Sequence, residues 1–148
     1  MDTPSLYNVK LEWEEGRKGQ LSSPVLDSSI EVATPPEFPL GVPGIWSPEH
    51  LLVAAVNSCL MTTFLAIAEN SRLSFENFEC QATGKLEKID CKYLISEITL
   101  SPELTIASPD DEEKALKILG KAEANCLISN SVKSRIVFRP VIKISTKP

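Results

Sequence analysis

The stretch that decides the fold is "NSCLMTTFLAIAEN", residues 57 to 70, which places a cysteine inside an apolar segment. It continues an uncharged run, residues 51 to 68, in which fourteen of eighteen residues are apolar. The run follows Ser47-Pro48-Glu49, which offers a hydroxyl cap, a proline at the first helical position and an acid at the positive end of the helix dipole. Together these features predict one long helix from about residue 48 to residue 70.

The predicted helix is apolar nearly all round, and two interpretations follow from that. Eighteen uncharged residues just reach the lower limit of a membrane span, but Glu49 and Glu69 flank the run and Asn57 and Thr62 interrupt it. We therefore expect no membrane association. The other interpretation is a central helix that is covered on every face, which a second subunit would readily complete.

The whole chain has 148 residues and a formal net charge of −5. This length predicts a single domain over residues 1–148. No basic stripe is present in the sequence, so we expect no nucleic-acid partner. The first ten residues lack the positive region and apolar core of a secretory signal, which predicts a cytoplasmic protein.

Strand patterns surround the predicted helix. Residues 7 to 14 alternate apolar and polar side chains, as in a half-buried strand, and the turn "GRKG" follows. Short strands are expected near 19–23 and 28–33. Residues 78–86 and about 92–101 read as a hairpin.

A second helix and a final pair of strands complete the predicted chain. The helix opens at Ser108-Pro109, and Ala115, Leu119, Ala122 and Cys126 form its buried stripe. A final strand pair is expected over residues 136–144, with Pro140 at the bend. The order of strands, helix, strands, helix and strands predicts the α+β class.

Four cysteines carry the remaining chemistry: Cys59, Cys80, Cys91 and Cys126. No Cys-x-x-Cys pair is present and His50 is the one histidine, so we expect no metal site, and a reducing compartment disfavours structural disulfides. Cys80 lies on the apolar side of its strand, where a cysteine is packing material, and Cys91 lies at a turn as a surface thiol.

Cys59 and Cys126 belong to helices that should pack on each other. Two thiols that meet in this way can form a peroxide-reducing dithiol: one becomes a sulfenic acid and the other condenses with it to a disulfide. Buried cysteines are often inert, so the pattern alone leaves a packing role open.

Two cysteine motifs, "WSPEHLLVAAVNSC" and "AEANCLISNS", with their cysteines 67 residues apart, resemble those of the OsmC/Ohr family of osmotically inducible and organic hydroperoxide resistance proteins. The resemblance covers most of the chain. It implies an OsmC-like intertwined α+β homodimer, in which a long buried central helix packs against antiparallel sheets and both active sites lie at the subunit interface.

The resemblance also implies roles for four residues. Cys59 matches the peroxidatic cysteine and Cys126 the resolving one. Arg17, in "GRKG", matches the arginine that holds the peroxidatic thiol as a thiolate, and Glu49 matches the acid that orients this arginine. The physics agrees, because arginine stays charged when buried and pairs bidentately with a carboxylate. Leu127 departs from the family, since many members have proline there.

The activity implied is reduction of organic hydroperoxides to alcohols, with a dithiol such as a lipoylated protein as reductant and no cofactor. Two alternatives remain. One is a non-catalytic or redox-sensing stress protein that binds an apolar ligand at the dimer interface. The other, a cysteine hydrolase, needs a histidine base, but His50 precedes Cys59 by nine residues, about two and a half turns of one helix.

Overall fold

The computed structural model describes residues 3–145. The chain forms two compact units, Met1–Leu51 and Leu52–Pro148, and each is described by itself. The single domain expected from the length therefore remains a prediction.

The first unit contains a three-stranded antiparallel sheet in the order β1-β2-β3. Its strands are β1 (Lys10–Glu15), β2 (Lys18–Ser22) and β3 (Ile30–Ala33). Gly16 and Arg17 form the turn between β1 and β2, and Gly16 has a φ of 50°, which favours glycine. The indole N–H of Trp13 donates to the carbonyl of Gly16 at 3.0 Å and closes this turn.

Strand β1 differs from its prediction. It begins at Lys10, and all six of its residues are exposed, including Leu11 and Trp13, whose exposed fractions are 64% and 76%. The alternation of apolar and polar residues correctly predicted a strand. The predicted burial of its apolar face was wrong for the single chain, because a sheet face is buried only where another element packs on it.

Helix α1 spans Pro48–Asn70, as predicted. Ser47 is buried and caps it, because the Ser47 hydroxyl accepts the backbone N–H of His50 at 3.1 Å. The same hydroxyl lies 2.7 Å from Nδ1 of His50. The histidine is thus part of the helix cap, on the same continuous helix as Cys59 and about 13 Å before it along the axis.

The second unit contains a four-stranded sheet. The long strands β4 (Asn77–Ile89) and β5 (Lys92–Ile106) form the predicted antiparallel hairpin. The last strands, β6 (Arg135–Phe138) and β7 (Val141–Ile144), both pair in parallel with β5. The expectation of a final strand pair needs this correction: the strands follow each other along β5, so the sheet is mixed.

Helix α2 (Glu112–Ala124) follows a short 3₁₀ turn, Pro109–Asp111, which Ser108 caps. The core of the second unit joins one stripe of α1 with β5 and α2. It comprises Val56, Leu60, Phe64 and Ala68 from α1, Ile98, Leu100, Leu104 and Ile106 from β5, and Ala115, Ile118, Leu119 and Ala122 from α2. The α+β class is therefore confirmed.

Within residues 3–145, α1 is the one helix long and apolar enough to cross a membrane, judged by length and composition only. The core helix of a soluble protein passes the same test, and α1 packs in the core of the second unit. The membrane interpretation therefore gains little from this finding.

Candidate functional site: a pair of buried thiols

The second unit brings Cys59 and Cys126 together. Cys59 lies on the buried stripe of α1 and is 9% exposed, while Cys126 follows the end of α2 and is fully buried. The two thiols are close enough that each shifts the pKa of the other. All four cysteines are free thiols.

The segment Cys126–Ser131, called here the thiol turn, gives Cys126 its position. Helix α2 ends at its C-cap, Asn125, so Cys126 lies just beyond the helix, at the end of the predicted buried stripe. The N–H of Cys126 donates to the carbonyl of Glu123 at 3.3 Å. The carbonyl of Cys126 accepts the N–H of Asn130 at 3.0 Å, which folds the turn back on itself.

The pKa of the Cys59 thiol is lowered in spite of its burial. Burial by itself raises the pKa of Cys59. Four hydrogen bonds favour the thiolate and bring the pKa below its ordinary value: from the N–H of Ile128, the thiol of Cys126, the hydroxyl of Thr63 and the N–H of Leu127. The Thr63 oxygen lies 3.8 Å from the Cys59 sulfur. All of these donors belong to the second unit.

The thiol of Cys126 behaves in the opposite way. Burial raises its pKa, and the hydrogen bond and charge of Cys59 raise it further, while the hydroxyl and N–H of Ser129 oppose this rise. The buried Ser129 hydroxyl has no hydrogen-bond partner within residues 3–145. The pair therefore loses its first proton from Cys59 and keeps the second on Cys126.

The other two cysteines match their predicted environments. Cys80 is half-buried on β4, and burial raises its pKa to about 11, partly opposed by the N–H of Ser101. Cys91 is exposed at the tip of the β4–β5 hairpin. Asn57 of α1 donates to the carbonyl of Cys80 at 3.0 Å and so ties this strand to the helix that carries Cys59.

Arg17 and Glu49 belong to the first unit. Arg17 is exposed at the β1–β2 turn and lines an open pocket of about 320 Å³, together with Leu11, Trp13 and Val32. Glu49 is half-buried in the first turn of α1. Among the ion pairs of residues 3–145, none joins Arg17 to Glu49. The roles assigned to both residues remain predictions.

Sequence reasoning did not assign roles to the groups that surround the two sulfurs. Thr63 follows Cys59 by one helical turn, so the i, i+4 spacing could have identified it. Ser129 stands three residues after Cys126 in the motif "AEANCLISNS", where its residue type alone does not reveal a role. The residue types of Leu127 and Ile128 do not reveal where their backbone N–H groups point, because that direction depends on the backbone conformation of the turn.

One antiparallel sheet, one mixed sheet, a long core helix and two neighbouring thiols are typical of an α+β protein of the OsmC type. The family model described as "OsmC-like protein" matches residues 41–140, so the chain belongs to the OsmC-like family. The resemblance found in the two cysteine motifs is thereby confirmed. Proteins of this family are soluble, which favours α1 as a core helix.

Several relatives and solved structures are similar to this chain. It is 27% identical to the uncharacterized protein YmaD of Bacillus subtilis over 135 residues, 88% of each chain. An OsmC-like protein of unknown function from Vibrio cholerae superposes with a TM-score of 0.83 at 26% identity, over 93% of this chain and all of the other. The organic hydroperoxide resistance protein OhrB of B. subtilis superposes with a TM-score of 0.68 at 20% identity, over 94% of this chain and all of OhrB. The last comparison shows the fold alone.

Proposed function

We propose that this protein is a thiol-dependent peroxidase that reduces organic hydroperoxides to alcohols. The feature that carries the proposal is a pair of neighbouring thiols with opposite tendencies: the pKa of Cys59 is lowered in spite of its burial, and the pKa of Cys126 is raised. A thiolate is the nucleophile that attacks a peroxide, and an adjacent thiol is what a sulfenic acid needs to form a disulfide. Family membership and the hydroperoxide resistance proteins among its structural neighbours also support it.

The reaction follows from these two environments. The Cys59 thiolate attacks the outer oxygen of ROOH, the O–O bond breaks, and the alkoxide takes a proton to leave as ROH. Cys59 is then a sulfenic acid. The Cys126 sulfur displaces its hydroxyl as water and forms the Cys59–Cys126 disulfide. A dithiol reductant, such as a lipoylated protein, restores both thiols, and the cycle needs no cofactor.

Arg17 and Glu49 enter this proposal through the sequence motif. Arg17 would add a permanent positive charge beside the Cys59 thiolate, and Glu49 would orient it. The hydrogen bonds within the second unit already favour the thiolate, so the arginine would add to an existing stabilisation.

We further propose that the protein acts as a homodimer in the cytoplasm. In the single chain, α1 buries only one apolar stripe, while Met61 and Leu65 of the same helix are 40% and 41% exposed. The apolar residues of β1 are exposed as well. A second subunit would cover such surfaces. Sedimentation should give about twice the chain mass of 16.2 kDa, and a monomer at micromolar concentration would contradict the dimer.

Peptide mapping after oxidation tests the peroxidase directly. Reduced protein is treated with one equivalent of cumene hydroperoxide and, separately, of hydrogen peroxide. We expect a loss of two hydrogens that maps to Cys59 and Cys126 and that forms faster with the organic peroxide. If both thiols stay reduced while lipid-like molecules co-purify, the protein is the non-catalytic binder of an apolar ligand, for which the apolar pocket beside Arg17 is the observation in favour.

A further inference from the structure

Helix α2 carries three lysines in one row on its exposed side. Lys114, Lys117 and Lys121 repeat at three and four residues, the spacing of one helix face, and all three are exposed. Within residues 3–145, none of them forms an ion pair. Like charges at this spacing repel each other and weaken a helix. This lysine row therefore lowers the stability of the helix that carries it.

A shallow apolar strip runs beside the lysine row. Leu116 is 40% exposed, and Gly120, about one turn further along α2, is exposed as well. A Cβ added at Gly120 would meet nothing within 4 Å, and its φ is not positive, so a side chain would fit there. Glycine in the middle of a helix is less stable than alanine. A partner that lies against the bare backbone would explain this glycine.

The apolar strip leads to the thiol turn. Backbone hydrogen bonds of helical spacing continue beyond α2, where the N–H of Asn130 donates to the carbonyl of Cys126 at 3.0 Å. Leu127 follows Gly120 by seven residues, about two helical turns, and is 66% exposed. Leu116, Gly120 and Leu127, called here the docking strip, thus begin on α2 and end one residue after the second thiol.

Charge determines which partner fits this surface. The chain has a net charge of −5, so it repels an acidic protein over most of its surface. The lysine row attracts such a protein and confines the encounter to one side of α2. The docking strip then supplies apolar contact beside the lysines.

The burial of the thiols limits how a partner could reach them. Cys59 is 9% exposed and Cys126 is fully buried. A folded protein cannot bring its own surface to sulfurs at this depth. Its dithiol must therefore extend on a long side chain while the body of the protein stays outside, and Cys59 is the sulfur open to attack.

We propose that the lysine row and the docking strip bind an acidic protein that carries a dithiol on a long flexible arm, and direct this dithiol to the Cys59–Cys126 disulfide; this rests on the proposed function, which forms that disulfide. One thiolate of the arm attacks the Cys59 sulfur, and Cys126 leaves as a thiolate. The second thiolate of the arm then displaces Cys59. The arm becomes a cyclic disulfide by losing two electrons and two protons, which Cys59 and Cys126 take up as two thiols.

Reduction of a disulfide that is made without peroxide tests the docking. Diamide oxidises the two thiols of the full chain, and alkylation followed by mass spectrometry measures how fast the disulfide is lost. The reductants are an acidic lipoylated domain in its dihydrolipoyl form and free dihydrolipoamide at the same dithiol concentration. We expect the domain to react at least about tenfold faster at low salt, and to lose this advantage as NaCl is added. Equal rates at low salt would overturn the proposal.

Charge reversal locates the binding surface. K117E and K121E should each slow reduction by the lipoylated domain about fivefold and leave reduction by free dihydrolipoamide unchanged. K92E is the matched control, because Lys92 is exposed at the β4–β5 hairpin and has no ion pair within residues 3–145. It should slow neither reaction. A loss in K92E as large as in the other two variants would assign the effect to net charge and refute the lysine row.

The docking strip is tested by filling its open space. G120L places a large side chain where a Cβ meets nothing, so the fold is retained while a partner is kept away from the helix backbone. We expect G120L to slow the lipoylated domain and to leave free dihydrolipoamide unchanged. Unchanged reduction by the domain would refute the docking strip.

The docking and the peroxidase can fail separately. Faster reduction by the lipoylated domain, in a protein that does not consume cumene hydroperoxide, would uphold the docking and refute the peroxidase. Peroxide turnover with dithiothreitol, combined with equal rates for the domain and free dihydrolipoamide, would do the reverse. If diamide forms no Cys59–Cys126 disulfide, the docking strip has no disulfide to serve and the proposal is overturned.

Discussion

Cys59 and Cys80 are both apolar-facing cysteines of the second unit, yet their thiols have opposite tendencies to ionise. Cys59 is the more deeply buried, and its pKa is lowered; Cys80 is half-buried, and its pKa rises to about 11. The balance between burial and donors differs: nearby donors outweigh burial at Cys59, whereas burial outweighs the one backbone N–H, that of Ser101, at Cys80. The pKa of a thiol therefore depends on both burial, which raises it, and nearby donors, which lower it.

Exchange of each thiol for a hydroxyl tests the difference between Cys59 and Cys80 with the largest expected effect. C59S should lower the consumption of cumene hydroperoxide, measured with dithiothreitol as reductant, by at least about a thousandfold, because the nucleophile is lost. C80S should stay within about twofold of the unmodified protein, since Cys80 remains protonated at neutral pH. Equal losses in both variants, with both folded, would show that the two thiols are not functionally different.

The pH dependence of alkylation allows the thiols of Cys59 and Cys80 to be compared within one sample. Only the thiolate reacts, so the rate at each cysteine rises about tenfold per pH unit below its pKa and levels off above it. The Cys59 midpoint should lie below that of Cys80, because the pKa of Cys59 is lowered from the ordinary value of a thiol and that of Cys80 is raised to about 11. Peptide-resolved alkylation with iodoacetamide between pH 5 and pH 11 measures both profiles. Coincident profiles would refute the assignment.

The contact between the two regions can be tested by stability. A Cβ added at Gly84, on the strand of Cys80, would lie 2.5 Å from Cγ2 of Val53, on the helix of Cys59. G84A should therefore lower the free energy of unfolding by about 1–3 kcal/mol, measured in urea.

Two variants control this stability measurement. V53A, combined with G84A, should recover part of the lost free energy of unfolding, since V53A removes the clashing methyl group. G120A is the matched control, because a Cβ there meets nothing within 4 Å, and it should stabilise helix α2 by about 0.5–1 kcal/mol. A loss of stability in G120A similar to that in G84A would point to a general intolerance of the added methyl group.

The smallest expected effect comes from a single donor. T63V keeps the branched shape of Thr63 but removes the hydroxyl, so the thiolate of Cys59 loses one hydrogen bond and its pKa rises. We expect an upward shift of about half a pH unit in the alkylation midpoint, a roughly threefold lower thiolate fraction. T62V is the neighbouring control, because the hydroxyl of Thr62 donates to the carbonyl of Cys59 and not to its sulfur. A larger shift in T62V than in T63V would contradict this assignment.

Much of the fold could be predicted because its signals are local. The cap, the proline and the uncharged run set the limits of α1 at Pro48–Asn70, and alternation identified β1 and the long hairpin. Parallel pairing of β6 and β7 with β5 could not be predicted, since it depends on contacts between distant residues. The exposure of β1 depends on what packs against it and not on its own pattern.

The same limit applies to the candidate site. Residue type and spacing were enough to single out Cys59 and Cys126, because the cysteines and the helical patterns beside them can both be recognised in a sequence. Their ionisation depends first on burial, and then on backbone N–H groups and the Ser129 and Thr63 hydroxyls. These follow from the conformation of one turn after α2, where a one-residue shift of the helix end changes which N–H groups are free.

The wide separation of the two thiols along the chain has a thermodynamic consequence. Cys59 and Cys126 are 67 residues apart, so a bond between them would close a loop over nearly half of the sequence. On the chain-entropy model, such a loop reduces the conformational freedom of the unfolded chain and stabilises the folded protein by about 4 kcal/mol. Exposure to peroxide would then make the protein harder to unfold, and its melting temperature would report the oxidant that it has met.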